Sequence, residues 1–177
     1  MDNFHEHLVE RKATGADIAK NIGIIILAVV LSFILLVAGL YFFPMNLFAA
    51  VALCYGAYLL SSGIAVEYEY TVTNNEIDID KIIGKRKRKR LITADISLFE
   101  HFGKSADAPA ISDDYTVVKA SDNTGEGEYF ADFKHSSFGN VRILFTPDEE
   151  MLKSVEPYLN GTLRAELKRM DFLSKRQ

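Results

Sequence analysis

Six consecutive basic residues, Lys85 to Arg90, are the most conspicuous chemical feature of the sequence. They lie in the segment KIIGKRKRKR, residues 81–90, which holds seven of the 20 basic residues and no acidic residue. We call Lys85 to Arg90 the basic block; it lies on a chain whose net charge is -4. Clustered ammonium and guanidinium groups bind phosphate and carboxylate groups through charge-assisted hydrogen bonds. The block is therefore the first candidate for a contact with an anionic partner.

If the block is a β-strand, its lysines point to one face and its arginines to the other, because side chains alternate along a strand. A strand that is charged on both faces cannot lie in a core, so one interpretation is an edge strand or hairpin protected by charge. The other is contact with anionic lipid headgroups, where each basic residue contributes about 1 kcal/mol. Nucleic acid is excluded because the rest of the chain is acidic and repels phosphate. The candidate lipid-binding residues are Lys85, Arg86, Lys87, Arg88, Lys89 and Arg90.

The other chemically capable side chains form no catalytic or metal-binding pattern. His5 and His7 have no third metal ligand nearby in the sequence and are expected to be surface residues. His101 and His135 have no serine or cysteine nucleophile motif beside them. The single cysteine, Cys54, lies in an apolar segment. We therefore expect no catalytic residue, no metal, no cofactor and no small-molecule substrate, which means a protein that is not an enzyme.

Two long apolar segments must position the basic block. They run from Ile22 to Phe43 and from Leu47 to Val66, and neither contains Asp, Glu, Lys, Arg or His. Each is close to the roughly 20 apolar residues that cross a bilayer. Because backbone polar groups in lipid must be satisfied internally, both segments are predicted to be helices. Only Pro44-Met45-Asn46 separates them, which predicts a transmembrane hairpin that enters and leaves on the same side.

Small residues spaced four apart recur within the two apolar segments, and this spacing lets helices approach closely. They favour packing of the hairpin on itself, with homodimerisation or a membrane-protein partner as the alternatives. No ionisable residue in the segments marks a path for an ion or substrate. The pairs are Ala28 and Ser32, Ala52 and Gly56, and Ala57 and Ser61.

Beyond Val66 the apolar pattern takes a period of two, which predicts β-strands. Residues 67–73 and 76–80 form a hairpin around Asn74-Asn75, with the tyrosines and Val72 on one face and the glutamates on the other. Further strands are predicted at 85–92, 115–120, 128–134 and 140–145, with a weaker strand or helical turn at 96–102. Residues 1–20 are predicted to be a mobile polar segment or a short interfacial helix.

The end of the chain takes a helical period. Thr146 is predicted to cap this helix, with Pro147 in its first position and Glu149 completing a capping box. Pro157 is expected to kink the helix and Asn160-Gly161 to interrupt it. The predicted core of residues 67–177 consists of Tyr68, Tyr70, Val72, Ile77, Ile79, Val141, Ile143, Phe145, Leu152, Val155 and Leu159.

This order of elements carries a resemblance to a known group. The stretches EYEYTVTNNEIDIDKIIGKRKRKRLITADISLFEHFG and RILFTPDEEMLKSVEPYLNGTLRAEL resemble bacterial pleckstrin-homology-like (PH-like) domains attached to two membrane spans. Over nearly its full length, the chain is similar to a family of uncharacterised two-span membrane proteins of Gram-positive bacteria. The resemblance implies an α+β membrane protein, with a PH-like β-barrel or sandwich capped by a C-terminal helix. It implies no activity and no binding residues.

Together these expectations divide the chain into three parts. Residues 1–20 are a cytoplasmic N-terminal segment, 21–66 a two-helix transmembrane hairpin, and 67–177 a cytoplasmic PH-like domain. The expected function is a membrane-anchored, non-enzymatic binding or scaffold module at the inner face of the cell membrane, with membrane lipid as partner. The alternative is an accessory or structural subunit of a larger membrane complex.

The topology follows from the charges that flank the hairpin. Basic residues precede the first segment at Arg11, Lys12 and Lys20 and follow the second in the basic block, whereas the connecting turn is uncharged. The positive-inside rule therefore places both termini in the cytoplasm.

A cysteine introduced at Asn46 should react with a membrane-impermeant thiol reagent in intact cells, and one at Ser174 should not. The opposite labelling pattern would reverse the predicted topology.

Overall fold

The computed structural model describes residues 4–38 and 45–174. The chain forms two compact units. One unit contains the described residues between Lys12 and Val66 together with Ile83–Lys87. The other contains the N-terminal segment up to Arg11, Glu67–Ile82 and the chain from Arg88 onwards. One boundary between the two units therefore falls within the basic block: Lys87 belongs to the helical unit and Arg88 to the β unit.

Two apolar helices dominate the first unit: α1 spans Gly15–Ala38 and α2 spans Met45–Ser62. They are about 36 Å and 27 Å long at 1.5 Å per residue, and both are long and apolar enough to cross a membrane. The first begins before the predicted Ile22 because Thr14 caps it. The Thr14 hydroxyl accepts from the Asp17 N–H at 3.2 Å, and the Asp17 carboxylate accepts from the Thr14 N–H at 3.0 Å. The second ends at Ser62, before the predicted Val66.

The two helices pack through small and polar residues. Ala28, Ser32 and Ala50 are buried, and the Ser32 hydroxyl lies 3.5 Å from the Cys54 sulfur. At the other end of the pair, the Ser61 hydroxyl donates to the Asn21 side-chain oxygen. In the predicted turn, Pro44 lies outside the described residues, whereas Met45 and Asn46 already belong to α2.

Two four-stranded sheets and two helices form the second unit, which confirms the predicted α+β fold class. The first sheet has the order β1-β2-β3-β4 and the second the order β5-β7-β8-β6, with β6 parallel to β8. The strands are β1 Phe4–Glu10, β2 Val66–Thr73, β3 Glu76–Ile83, β4 Lys87–Asp95, β5 Phe99–Lys104, β6 Thr116–Lys119, β7 Tyr129–His135 and β8 Gly139–Phe145.

Residues 4–10 of the predicted N-terminal segment form a β-strand, not the mobile segment or interfacial helix that was predicted. Residues Phe4–Glu10 pair with β2 in antiparallel register, from Phe4 opposite Thr73 to Glu10 opposite Glu67. This strand completes the edge of the first sheet although two apolar helices separate it from β2 in the sequence. Such long-range pairing leaves only a weak local signal, since the alternation of a single edge strand is short and mixed.

The C-terminal part of the chain is helical, with the predicted interruption. Helix α3 spans Glu149–Val155 and α4 spans Gly161–Ser174, with a 3-10 turn through Pro157 between them. The predicted cap at Thr146 is wrong: Asp148 is the N-cap, and its carboxylate accepts from the Met151 N–H at 2.7 Å. Asn160 caps α4 by accepting from the Leu163 N–H at 3.0 Å.

Burial confirms all but one residue of the predicted core. Ten of its eleven members are buried, including Tyr70, Ile143 and Phe145. Leu152 is the exception: it is half-buried, and Met151 is fully buried in its place. Because Met151 and Val155 are four residues apart, they define the inward face of α3 and leave Leu152 on its flank.

Candidate functional site

The basic block begins in a tight turn between β3 and β4. Gly84 and Lys85 both adopt positive φ angles, 59° and 57°, and the Arg86 N–H donates to the Ile83 carbonyl at 3.2 Å. Two central residues with positive φ are the mark of a type I′ hairpin turn. Glycine adopts this conformation without strain, which explains its place in the first of the two positions.

The same turn is bound to the end of α2 within the helical unit. The Gly84 N–H donates to the Ala65 carbonyl at 2.8 Å, and the Arg86 guanidinium donates to the Ser62 hydroxyl. A Cβ atom on Gly84 would lie 2.7 Å from the Ser62 carbonyl oxygen, closer than packed side chains allow. The first residues of the basic block are therefore held against the point where the second apolar helix ends.

The remaining arginines of the block bind acidic side chains of the β unit. Arg88 forms an ion pair with Glu69 on β2 and lies 3.8 Å from the Asp80 carboxylate on β3. Arg90 forms hydrogen bonds with Asp80 and lies 2.6 Å from the Asp78 carboxylate. These contacts form a row of alternating charge across β2, β3 and β4, which holds the edge strand in register.

The acidic partners are less exposed than the alternation in the sequence predicts. Glu69 is 5 % exposed and Asp80 is 6 % exposed, although the pattern places the glutamates of β2 on the polar face of the hairpin. Burial raises the pKa of the Glu69 carboxyl, the nearby Glu6 carboxyl raises it further, and Arg88 opposes both effects. Arginine at positions 88 and 90 therefore provides the counter-charge that these buried carboxylates require.

The lysines of the block have a different setting. Lys85, Lys87 and Lys89 are exposed, as are the arginines of the block, but the lysines differ from the arginines in their contacts. Within residues 4–38 and 45–174, Lys87 and Lys89 form no ion pair. The arginines of the block therefore contact the protein, whereas Lys87 and Lys89 extend into the surroundings, where an external anion can reach them.

The histidines that were expected to lie on the surface are partly buried in the β unit. His5 and His7 point to the same face of β1, and both contact Asp148 at the start of α3, with nitrogen-to-oxygen distances of 3.1 Å and 3.2 Å. Their i, i+2 spacing would have placed them on one face once residues 4–10 were recognised as a strand. Among the described residues, no group of three or more His, Cys, Asp or Glu side chains could hold a metal ion.

A second charged group lies in the other sheet. Arg142 donates to both oxygens of Asp132 at 2.6 Å and to the Pro109 carbonyl at 2.7 Å, and it stacks on Phe130. His101 approaches Asp132 at 3.6 Å and lines an open cleft of about 590 Å³ beside the first turn of α4. The bidentate pair is buried, and all three guanidinium nitrogens donate to an acceptor, which is typical of a structural ion pair.

The architecture defines a class of protein: a PH-like β module joined to two apolar helices. The family model described as a bacterial PH-like domain (DUF6106) matches residues 1–164. The chain belongs to this family. Comparison with curated proteins and with solved structures gives no match. PH-like domains are binding and scaffold modules that are generally non-catalytic and that commonly bind lipids or proteins.

The contact between Gly84 and α2 gives a direct test of the site's geometry. In Gly84→Ala, the positive φ angle and the approach to the Ser62 carbonyl should together cost about 1–3 kcal/mol. The population of detached turn should then rise roughly 5- to 150-fold, and trypsin should cleave the full chain at Lys85–Arg90 correspondingly faster.

Gly125→Ala is the matched control for this test. Gly125 also has a positive φ angle, 79°, but a Cβ atom there would meet nothing within 4 Å. Its cleavage rate at the basic block should equal that of the wild type. Equal rates for all three proteins would show that the turn is not held by the close approach.

Proposed function

We propose that this chain is a membrane-anchored, non-enzymatic binding module whose basic turn contacts anionic lipid headgroups at the inner face of the cell membrane. In this proposal, residues 21–66 are a transmembrane hairpin and 67–177 a cytoplasmic domain, with both termini in the cytoplasm. Residues 4–10 contribute the edge strand β1 to that domain. The two helices are long and apolar enough for the anchoring role.

The observation that carries the proposal is the attachment of the turn to the end of α2. A helix that crosses a bilayer ends near the headgroups, and the contacts of Gly84 and Arg86 with residues 62–65 keep the turn at that level. Attraction between a basic residue and an anionic surface acts within a Debye length of about 8 Å at physiological salt. The attachment therefore supplies the proximity that the attraction requires.

Within this proposal, we attribute the lipid contact to the lysines of the block and not to Arg88 and Arg90. Arg88 and Arg90 neutralise buried carboxylates, and releasing them to a phosphate would leave Glu69 and Asp80 without a counter-charge. Lys85 lies in the turn and Lys87 follows it as the first residue of β4, and both are exposed. At about 1 kcal/mol each, these two lysines contribute at most about 2 kcal/mol, or roughly 30-fold in affinity.

The alternative function, a subunit of a larger membrane complex, is favoured by one feature of α2. Ala28 and Ser32 are used within the hairpin, but a Cβ atom on Gly56 would meet nothing within 4 Å, and Ala52 is exposed. A pair of small residues on an open helix face is suited to packing against another helix. A second copy of the chain or a different membrane protein would then occupy that face.

The lipid proposal is tested with the detergent-solubilised full chain. Titration with fluorescent phosphatidylglycerol should show binding that weakens as salt rises, with little binding of phosphatidylcholine. The double variant Lys85→Gln, Lys87→Gln should lose between threefold and 30-fold in affinity for phosphatidylglycerol.

Arg88→Gln should lower the unfolding temperature of the protein, because Glu69 loses its counter-charge.

The matched control replaces exposed lysines of the second sheet. Lys119→Gln, Lys134→Gln removes the same charge from the protein and should leave the affinity for phosphatidylglycerol nearly unchanged. Equal losses in the two double variants would indicate a general charge effect. No preference for phosphatidylglycerol at low salt in the wild type would refute the lipid role.

A further inference from the structure

In addition to its pairing with β2, β1 contacts the rest of the β unit through one carboxylate, that of Asp148. Asp148 receives contacts from both histidines of β1: His5 Nε2 lies 3.1 Å from one carboxylate oxygen and His7 Nδ1 lies 3.2 Å from the other. A carboxylate only accepts hydrogen bonds, so His5 Nε2 donates to Asp148, while His7 Nδ1 lies at ion-pair distance from the same carboxylate. The same carboxylate also caps α3 through the Met151 N–H. We call His5, His7 and Asp148 the histidine clasp.

Glu150 and Tyr70 also lie close to the two histidines. From α3, the Glu150 carboxylate lies 4.0 Å from the second nitrogen of His5. From β2, the ring of Tyr70 lies 6.0 Å from the ring of His7. The clasp is therefore a pair of half-buried imidazoles beside two carboxylates and one aromatic ring, and these described contacts include no competing cation.

We propose that the histidine clasp is a pH-sensitive contact: as the pH falls from 7.5 to 5.5, β1 opens away from the β unit less often. Histidine side chains gain a proton across this range. A proton added to either imidazole places a positive charge beside the Asp148 carboxylate, which turns the contact into an ion pair with two charged partners. Through residues 11–14, β1 leads directly into α1. The clasp thereby controls how often the chain that enters the first apolar helix leaves the edge of β2.

The direction of the effect depends on Asp148 staying ionised. Burial opposes ionisation of this carboxyl, but the Met151 N–H, His7 and His5 outweigh it, so the pKa of Asp148 lies below its ordinary value. The carboxylate is therefore still charged at pH 5.5, the acid end of the range over which histidine side chains in general gain a proton. Attachment of β1 should strengthen with acid down to the point where Asp148 itself takes up a proton.

Hydrogen exchange of the full chain in detergent measures this attachment directly, because amides of β1 exchange when the strand opens. Rates corrected for the intrinsic pH dependence of exchange should show β1 amides three- to tenfold better protected at pH 5.5 than at pH 7.5. Amides of β7 and β8 serve as the internal reference and should change less than twofold.

Three variants separate charge from simple packing. His5→Gln, His7→Gln keeps a donor at each position but cannot gain a proton, so protection of β1 should no longer depend on pH. Asp148→Asn keeps a capping oxygen for α3 and should also abolish the gain at pH 5.5. His135→Gln, outside the clasp, should behave as the wild type. If protection of β1 in the wild type does not change with pH, or changes equally in the double glutamine variant, the proposal is wrong.

Discussion

The contact between Gly84 and the carbonyl of Ser62 is the constraint on which the proposed function depends. It joins the β3–β4 turn to the last residues of α2, and it leaves no room for a side chain at position 84. Hydrogen bonds from Gly84 to Ala65 and from Arg86 to Ser62 complete the attachment. A basic segment on a free loop would sample many distances from a membrane, whereas this turn has one fixed position relative to the helix.

The arginines and the lysines of the basic block have different contacts. The planar guanidinium suits paired carboxylates, and Arg88 and Arg90 bind Glu69, Asp78 and Asp80 across the first sheet. The flexible ammonium groups of Lys85 and Lys87 stay exposed. Arg88 and Arg90 therefore stabilise a charged edge strand, and in the proposed function the exposed lysines contact the anionic partner.

Sequence periodicity predicts the local elements well, because apolar length and alternation depend on neighbouring residues. It predicts the apolar helices, most strands, the core residues around Tyr70 and Ile143, and the break near Pro157. It does not predict β1, the burial of Glu69 or the contacts of Asp148, since each depends on segments far apart in the chain. The cap of α3 is displaced to Asp148 because that carboxylate can accept from the Met151 N–H in the folded chain.

The depth of Lys87 in a bilayer is the most direct test of the account. A spin label at Lys87→Cys, in a chain whose Cys54 is replaced by alanine, would be measured after reconstitution into vesicles. Accessibility to oxygen and to a water-soluble nickel reagent reports the distance from the bilayer surface. The attachment of the turn to α2 predicts a label at headgroup level, with restricted access to nickel. A label as accessible to nickel as the free label in water would contradict the account.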